Sequence, residues 1–240
     1  MHRLLSETAE LELSEPSLSK EALRHLKVLR PKSGEQIELF DGRGSWRVYS
    51  YRDGRLTAES ETRHLPKPER RLTLFACVTK GSRWDWTVEK ATELGAGRIV
   101  PVISDRTIVR IADDEREAKR ERWLRIAADA ARQSDAKWLP EVLAPVDFDA
   151  SLELVKTCRC FVGALTEPRP RLLAEEIAAA VKDGPDCREW GVYVGPEGDF
   201  TGDELSRLLK VAVPADFGPT ILRAETAAIF ALSVLKGLVN

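Results

Sequence analysis

The chain has 240 residues, 43% of them hydrophobic and 32% charged, with a formal net charge of -2. That length suits one large domain or a small plus a medium one, and the near-neutral balance confines any nucleic-acid site to a local patch. No apolar run approaches the roughly 20 residues that span a bilayer, and the N-terminus lacks a signal peptide's apolar core, so a soluble cytoplasmic protein is expected.

Cys77, Cys158, Cys160 and Cys187 form no Cys-x-x-Cys pair, and His2, His25 and His64 are far apart. No metal site is expected from that spacing. Cys158 and Cys160 fall on one face of an expected strand and Cys77 lies in another, which fits buried reduced thiols.

The first ~70 residues carry strand signals. After a short helix-like piece, Lys20 to Leu29, the segment Gln36 to Phe40 alternates polar and apolar residues and meets Asp41-Gly42. Trp46 to Tyr51 alternates again, and Asp53-Gly54 marks a second hairpin before Leu56 to Ser60. Short strands with tight turns suggest a small barrel or sandwich. Leu65 to Arg71, with two prolines and several charges, reads as a linker, giving domains at 1–70 and 71–240.

Beyond the linker, strand and helix patterns alternate. Leu72 to Val78 reads as a buried strand, Arg83 to Leu94 as a helix stopped by Gly95, and Arg98 to Ile103 as a strand. This βαβ unit makes the fold α/β with an at least partly parallel sheet. A long helix from about Asp113 to Gln133 carries a stripe of Trp123, Ile126, Ala127, Ala130 and Ala131. A strand at Cys160 to Leu165 and a helix near Leu172 to Lys182 follow.

Two glycine turns complete the alternation. Gly191 to Thr201 runs Val194-Gly195-Pro196-Glu197-Gly198-Asp199-Phe200, and Thr201 and Glu204 stand at capping-box spacing for the next helix. Ala215 to Ala228 runs Phe217-Gly218-Pro219-Thr220-Ile221-Leu222-Arg223-Ala224-Glu225. Loops at the carboxyl ends of strands are where open α/β sheets hold small ligands, and glycine admits close backbone approach. Neither the Walker nor the dinucleotide fingerprint is present. Glu197 in the loop would repel phosphate, which suits a cationic, phosphate-free nucleoside such as S-adenosylmethionine; a tight turn with no ligand is the plainer reading. The last segment, Ala224 to Leu238, is apolar nearly all round, as for a core helix or one covered by a second subunit.

These residues resemble the RsmE family, the ribosomal RNA small subunit methyltransferases E of the SPOUT superfamily. The likeness is strongest in Val194 to Phe200 and Gly218 to Ala227. It extends through Lys80 to Trp84, Lys90 to Gly95, Arg122 to Ser134, and His25 to Arg30 ahead of Gly34-Glu35. Asp199 stands where the family usually has glycine, and Phe217 where it has leucine, which bears on the fine shape of the pocket. The resemblance implies a PUA-like N-terminal β-barrel, a SPOUT domain with a trefoil knot, and a homodimer. It implies S-adenosylmethionine-dependent methylation of N3 of a uridine in 16S ribosomal RNA of the small subunit. Carried onto this chain, the cofactor site comprises Leu165, Thr166 and Glu167, then Gly195, Pro196, Glu197 and Gly198, then Phe217, Gly218, Ile221, Leu222 and Arg223.

Uridine N3 is a poor nucleophile while protonated, and in-line methyl transfer gains most from positioning. Arg223 would hold charge on the uracil oxygens, and Glu225 would orient it or a neighbouring loop; an Arg–Glu pair that pins the helix start is the other reading. For RNA, residues 20–55 carry nine Lys or Arg against five Asp or Glu. Arg24, Lys27 and Arg30 recur at helical spacing, with Trp46, Tyr49 and Tyr51 available for stacking, although Tyr49 and Tyr51 share one strand face, which suits a core equally. Arg3, Lys80 and Arg83 join them as RNA-binding candidates. A SPOUT enzyme acting on a ribose 2′-hydroxyl or another base, and a non-catalytic RNA-binding protein, are the competing functions.

Overall fold

The computed structural model describes residues 1–164, 166–184 and 186–239. Leu165, expected in the first cofactor loop, therefore lies outside the described residues. The chain divides into two compact units, Met1–Pro68 with Ala128–Leu139, and Glu69–Ala127 with Pro140–Asn240.

The first unit contains β1 (His2–Leu5), α1 (Thr8–Leu11), α2 (Lys20–Leu29), β2 (Gln36–Phe40), β3 (Ser45–Arg52), β4 (Arg55–Ala58) and β5 (Arg63–His64). Its sheet runs β1-β2-β3-β4, with β5 also paired to β3. The Asp53-Gly54 signal closes the β3–β4 hairpin at the Arg52–Arg55 pair, with Asp53 and Gly54 at φ 49° and 86°. Positive φ at both central residues matches the right-handed twist of the strands. β1 and α1 were not anticipated; β1 pairs parallel with β2, a partner more than thirty residues away. Helix α2 begins where Ser19 Oγ accepts the Ala22 N–H at 3.1 Å. Leu4, Leu11, Leu26, Ile37, Leu39, Tyr49 and Leu56 form the core. Tyr49 is fully buried and donates its hydroxyl to the Leu11 carbonyl at 3.2 Å. Of the two readings of Tyr49, stacking face or core, it is therefore the core one that holds.

In the second unit follow β6 (Arg71–Cys77), α3 (Ser82–Glu93), β7 (Arg98–Ile103), α4 (Arg116–Ser134, whose last turns belong to the first unit), β8 (Glu141–Val142), β9 (Val146–Asp147), α5 (Phe148–Val155), β10 (Arg159–Gly163), α6 (Leu173–Asp183), β11 (Glu189–Val194), α7 (Gly202–Leu208), β12 (Val213–Ala215) and α8 (Ala224–Val239). The strands pair in the order β12-β10-β11-β6-β7-β8, with β9 on β7, and every pairing is parallel. Parallel sheets bury both faces, and the strands accordingly read as apolar runs rather than alternations. Leu74, Val192 and Phe161 face one core with Trp84, Ile177 and the buried face of α8. Phe75, Val100, Val162 and Tyr193 face another with α5 and Phe200.

The stop at Gly95 is as expected. Gly95 takes φ +79°, its N–H reaches the Thr92 carbonyl, and the Ala96 N–H reaches that of Ala91, each at 2.9 Å. This pair of bonds satisfies carbonyls that the helix end would otherwise leave open. Cys158 falls in the turn before β10, not in the strand, because β10 starts at Arg159. All four cysteines are free, and burial pushes the Cys77 thiol up to about 12. Helix α8 buries Ala227, Ala228, Ala231, Leu232 and Leu235 but leaves Phe230 38% and Leu238 39% exposed.

Candidate functional site

Because β10 lies between β12 and β11 and all three run parallel, their carboxyl ends point the same way. The loops that follow them, separated by up to fifty residues in sequence, meet around one cleft of about 730 Å³. Thr166 and Glu167 line it from the first loop and Gly195, Pro196 and Glu197 from the second. Phe217, Gly218, Ile221, Leu222 and Arg223 line it from the third. Gly198 does not; its carbonyl instead accepts Arg106 Nη1 at 3.0 Å.

The glycines shape this cleft in different ways. A Cβ on Gly195 would lie 2.9 Å from the ring of Phe200, and one on Gly163 would lie 2.7 Å from the ring of Phe217. The glycine that ends β10 and the one that follows β11 thus each seat an aromatic ring of a loop. Phe200 is itself held between Phe148 and Tyr193, at 6.0 and 5.6 Å between centroids. Only Gly218, among these three, needs its residue type for a backbone reason, at φ +115°. Asp199 also has a positive φ, +59°, in the left-handed region that glycine enters freely. Its carboxylate accepts the Phe200 N–H at 2.8 Å, a local bond that lets aspartate occupy this turn.

Sequence reasoning missed two residues of the third loop's frame. Asp216 is 5% exposed and accepts Arg169 Nε at 2.6 Å and the Gly218 N–H at 2.9 Å. The Arg169 guanidinium, then the Gly218 amide, hold its carboxyl below the usual carboxylate range. Arg169, which follows the first loop, is thereby tied to the third. Asp216 lies within the second glycine turn, but Arg169 belongs to no motif, so only the fold brings the two together. Counting these two, the cleft is lined by four carboxylates (Glu167, Glu197, Asp199, Asp216) and two guanidinium groups (Arg169, Arg223).

Arg223 and Glu225 do not form the pair considered above. Glu225 Oε1 lies 4.0 Å from Arg83 Nε, and Arg83 Nη1 lies 3.3 Å from Glu197 Oε1. Arg83 therefore links the start of α8 to the second loop, and the carboxylate of Glu225 faces Arg83 rather than Arg223. Glu225 Oε2 is buried with no hydrogen-bond partner among the described residues. Arg223 is exposed on the cleft wall, and its carbonyl accepts the Ala227 N–H at 2.8 Å.

Of the basic candidates, Arg24, Lys27, Arg30 and Lys80 are exposed. Arg3 is mostly buried between Asp135, at 2.8 Å, and Glu38, at 3.5 Å. Arg3 and Arg83 thus have ion pairs within the fold.

A parallel sheet whose strand-end loops converge on one cleft is the organisation of an α/β domain that binds a small ligand. Residues 66–236 match the family model described as an RNA methyltransferase domain, and residues 18–54 match that of an RNA methyltransferase PUA domain. The chain is 32% identical to the ribosomal RNA small subunit methyltransferase E of Synechocystis, over 89% of this chain and 70% of that protein. It is 33% identical to the Bacillus subtilis protein of the same name, over 74% and 68% of the two chains. The crystal structure of a ribosomal RNA small subunit methyltransferase E from Neisseria gonorrhoeae, bound to S-adenosyl methionine, is 28% identical. It superposes with a TM-score of 0.80 across 99% of this chain and 98% of that one. The chain belongs to the ribosomal RNA small subunit methyltransferase E family.

Proposed function

We propose that this protein transfers a methyl group from S-adenosylmethionine to N3 of a uridine in 16S ribosomal RNA. The observation that carries the reading is the convergence of the three loops on one cleft, in a chain that belongs to this family. The cleft suits the cofactor. Its volume is within the ~300–1,000 Å³ of small-molecule sites. Val194, Phe217, Ile221 and Leu222 offer apolar cover for an adenine, and the excess of carboxylates favours a cation.

When bound, S-adenosylmethionine supplies a sulfonium methyl group for in-line displacement. Thr166, Glu167, Gly195, Pro196, Glu197, Phe217, Gly218, Ile221 and Leu222 hold it, with Leu165 and Gly198 as further members of the same loops. Arg223 supports the charge that spreads onto the uracil oxygens as N3 loses its proton, a preorganised electrostatic role. Glu225 acts through Arg83, fixing the second loop against α8. Arg24, Lys27, Arg30 and Lys80 meet RNA phosphates, and Arg3 and Arg83 do so only at the expense of their carboxylate partners.

In this reading residues 1–70 form a PUA-like barrel that binds RNA, and residues 71–240 form the SPOUT domain. The trefoil knot is supported by the path of the chain, which leaves β11, passes β10 to form β12 at the sheet edge, and returns as α8. The exposed Phe230 and Leu238 of α8, with Ile221 99% exposed, support a homodimer. The cytoplasm, where small subunits mature, is the expected location.

Mass mapping of ribosomal RNA from cells lacking the gene tests the function. One uridine is expected to lose a base methyl and to regain it with wild-type protein but not with Arg223→Ala. An unchanged methylation map, or a lost ribose methyl, would refute it.

A further inference from the structure

A second cavity, of about 340 Å³, lies wholly within the first unit, between the end of β1, α1 and the N-terminal half of α2. Leu18 and Ala22 give it an apolar wall, and Ser17, Glu21, His25 and Arg132 bring polar ends to it. We propose that this cavity receives one unstacked base of single-stranded RNA, a proposal that rests on the reading of the protein as an RNA-modifying enzyme.

Three features favour a base over other occupants. The first is size. A space of this volume takes a planar heterocycle and its sugar but no folded segment. Second, the polar groups are of mixed kind. Arg132 is a donor, Glu21 an acceptor, and His25 can be either through its two ring nitrogens. Burial, then the nearby Arg132 charge, lowers the His25 pKa, which favours the neutral ring with one donor and one acceptor nitrogen. Bases splayed from a single strand are recognised by such mixtures of stacking surface and edge hydrogen bonds. Third, Glu7, Glu10 and Glu21 all line the cavity, and three carboxylates repel a phosphate.

The backbone of such a strand has its own place. Arg24 and Lys27 lie on the face of α2 next to Glu21 and His25, both exposed and in no ion pair among the described residues. On a helix of 3.6 residues per turn, Arg24 stands about 60° around the axis from Glu21. Phosphates on that strip would leave the intervening base over the opening of the cavity. Arg132, whose side chain is 14% exposed, forms one ion pair among the described residues, with the exposed Asp129 of the preceding turn, so its cost of burial is met in part by solvent-facing charge. A base edge that accepts hydrogen bonds would complete its coordination.

The test uses the full chain and transcribed small-subunit ribosomal RNA, with binding measured across a salt series. Ser17→Trp fills the cavity from an exposed position; His25→Ala removes the ring without adding bulk. Both are expected to weaken binding roughly tenfold, the usual scale for losing one base contact, with the slope of log K against log salt unchanged. Arg24→Ala and Lys27→Ala are expected to reduce that slope by about one each. Thermal melting and calorimetry with S-adenosylmethionine verify that each variant is folded. Wild-type affinity in both cavity variants would overturn the proposal, as would a loss accompanied by a lower slope, which signifies a phosphate contact. Failure of the wild-type protein to bind the RNA would instead refute the underlying reading of function.

Discussion

One firm constraint on the cleft is the contact beneath its second loop, and Gly195→Ala tests it. The new Cβ would meet the Phe200 ring at 2.9, 3.2 and 3.3 Å. The ring cannot swing away freely, since Phe200 is 5% exposed and packed on Phe148 and Tyr193. Overpacking of this kind costs about 1–3 kcal/mol. If the core holds and the loop shifts instead, the same free energy appears as weaker cofactor binding, about 5- to 150-fold at 1.4 kcal/mol per decade. Calorimetric titration with S-adenosylmethionine and thermal melting together measure where the cost falls. The double substitution Gly195→Ala with Phe200→Leu gives the methyl group room, so its combined loss should be smaller than the sum of the two single losses. Wild-type affinity and Tm in Gly195→Ala, or strictly additive losses in the double variant, would refute the argument that this glycine exists to seat a ring.

Other positions give independent checks. Arg83→Ala removes the link between Glu197 and Glu225; as Arg83 is 47% exposed, the ion pairs contribute little each, and a severalfold loss of cofactor affinity is expected by calorimetry, with Arg83→Lys intermediate. Unchanged affinity with weakened RNA binding would move Arg83 back to the RNA surface. Arg223→Ala should bind cofactor within about threefold of wild type while turnover falls by 10² or more, the scale of losing one preorganised charge contact. Cys77, whose thiol burial raises to about 12, stays protonated and inert below that pH. Iodoacetamide at pH 8 should leave it unlabelled in the native protein and label it in urea, as peptide mass mapping would reveal; labelling at equal rates would show that its burial is not maintained.

Much of this architecture was legible because local chemistry and global fold agree. Ser19 before Lys20, Thr201 with Glu204, Gly95 after Glu93 and the Asp53-Gly54 hairpin each mark an element end by satisfying backbone groups on the spot. Thr201 and Glu204 are joined reciprocally, and buried Glu204 also accepts the Asp105 N–H at 2.9 Å, a contact that spacing cannot reveal. What remained hidden depends on distant partners. β1 is four residues long and gains its strand character from pairing with β2. Residues 128–139 join the first unit because Lys137 pairs with buried Glu38 and the backbone of Gly42 and Gly44 bonds to Leu139 and Lys137. In the cleft, the glycine turns located the loops, but the frame that holds them did not show. Asp216 stands between Ala215 and Phe217 in an unremarkable run, and its partner Arg169 is forty-seven residues upstream. Tyr49 looked equally suited to stacking and to the core, since alternation assigns a residue to a face without saying what covers it.

The account depends most on the cleft at the ends of β10, β11 and β12 being the place where the methyl donor is held. A crystal structure with S-adenosylmethionine tests this directly. The account predicts adenosine between the loops at 164–169, 195–199 and 216–223, contacted by their main chain, with the sulfonium methyl facing Arg223. A ligand seated elsewhere, with these loops closed on one another, would contradict it.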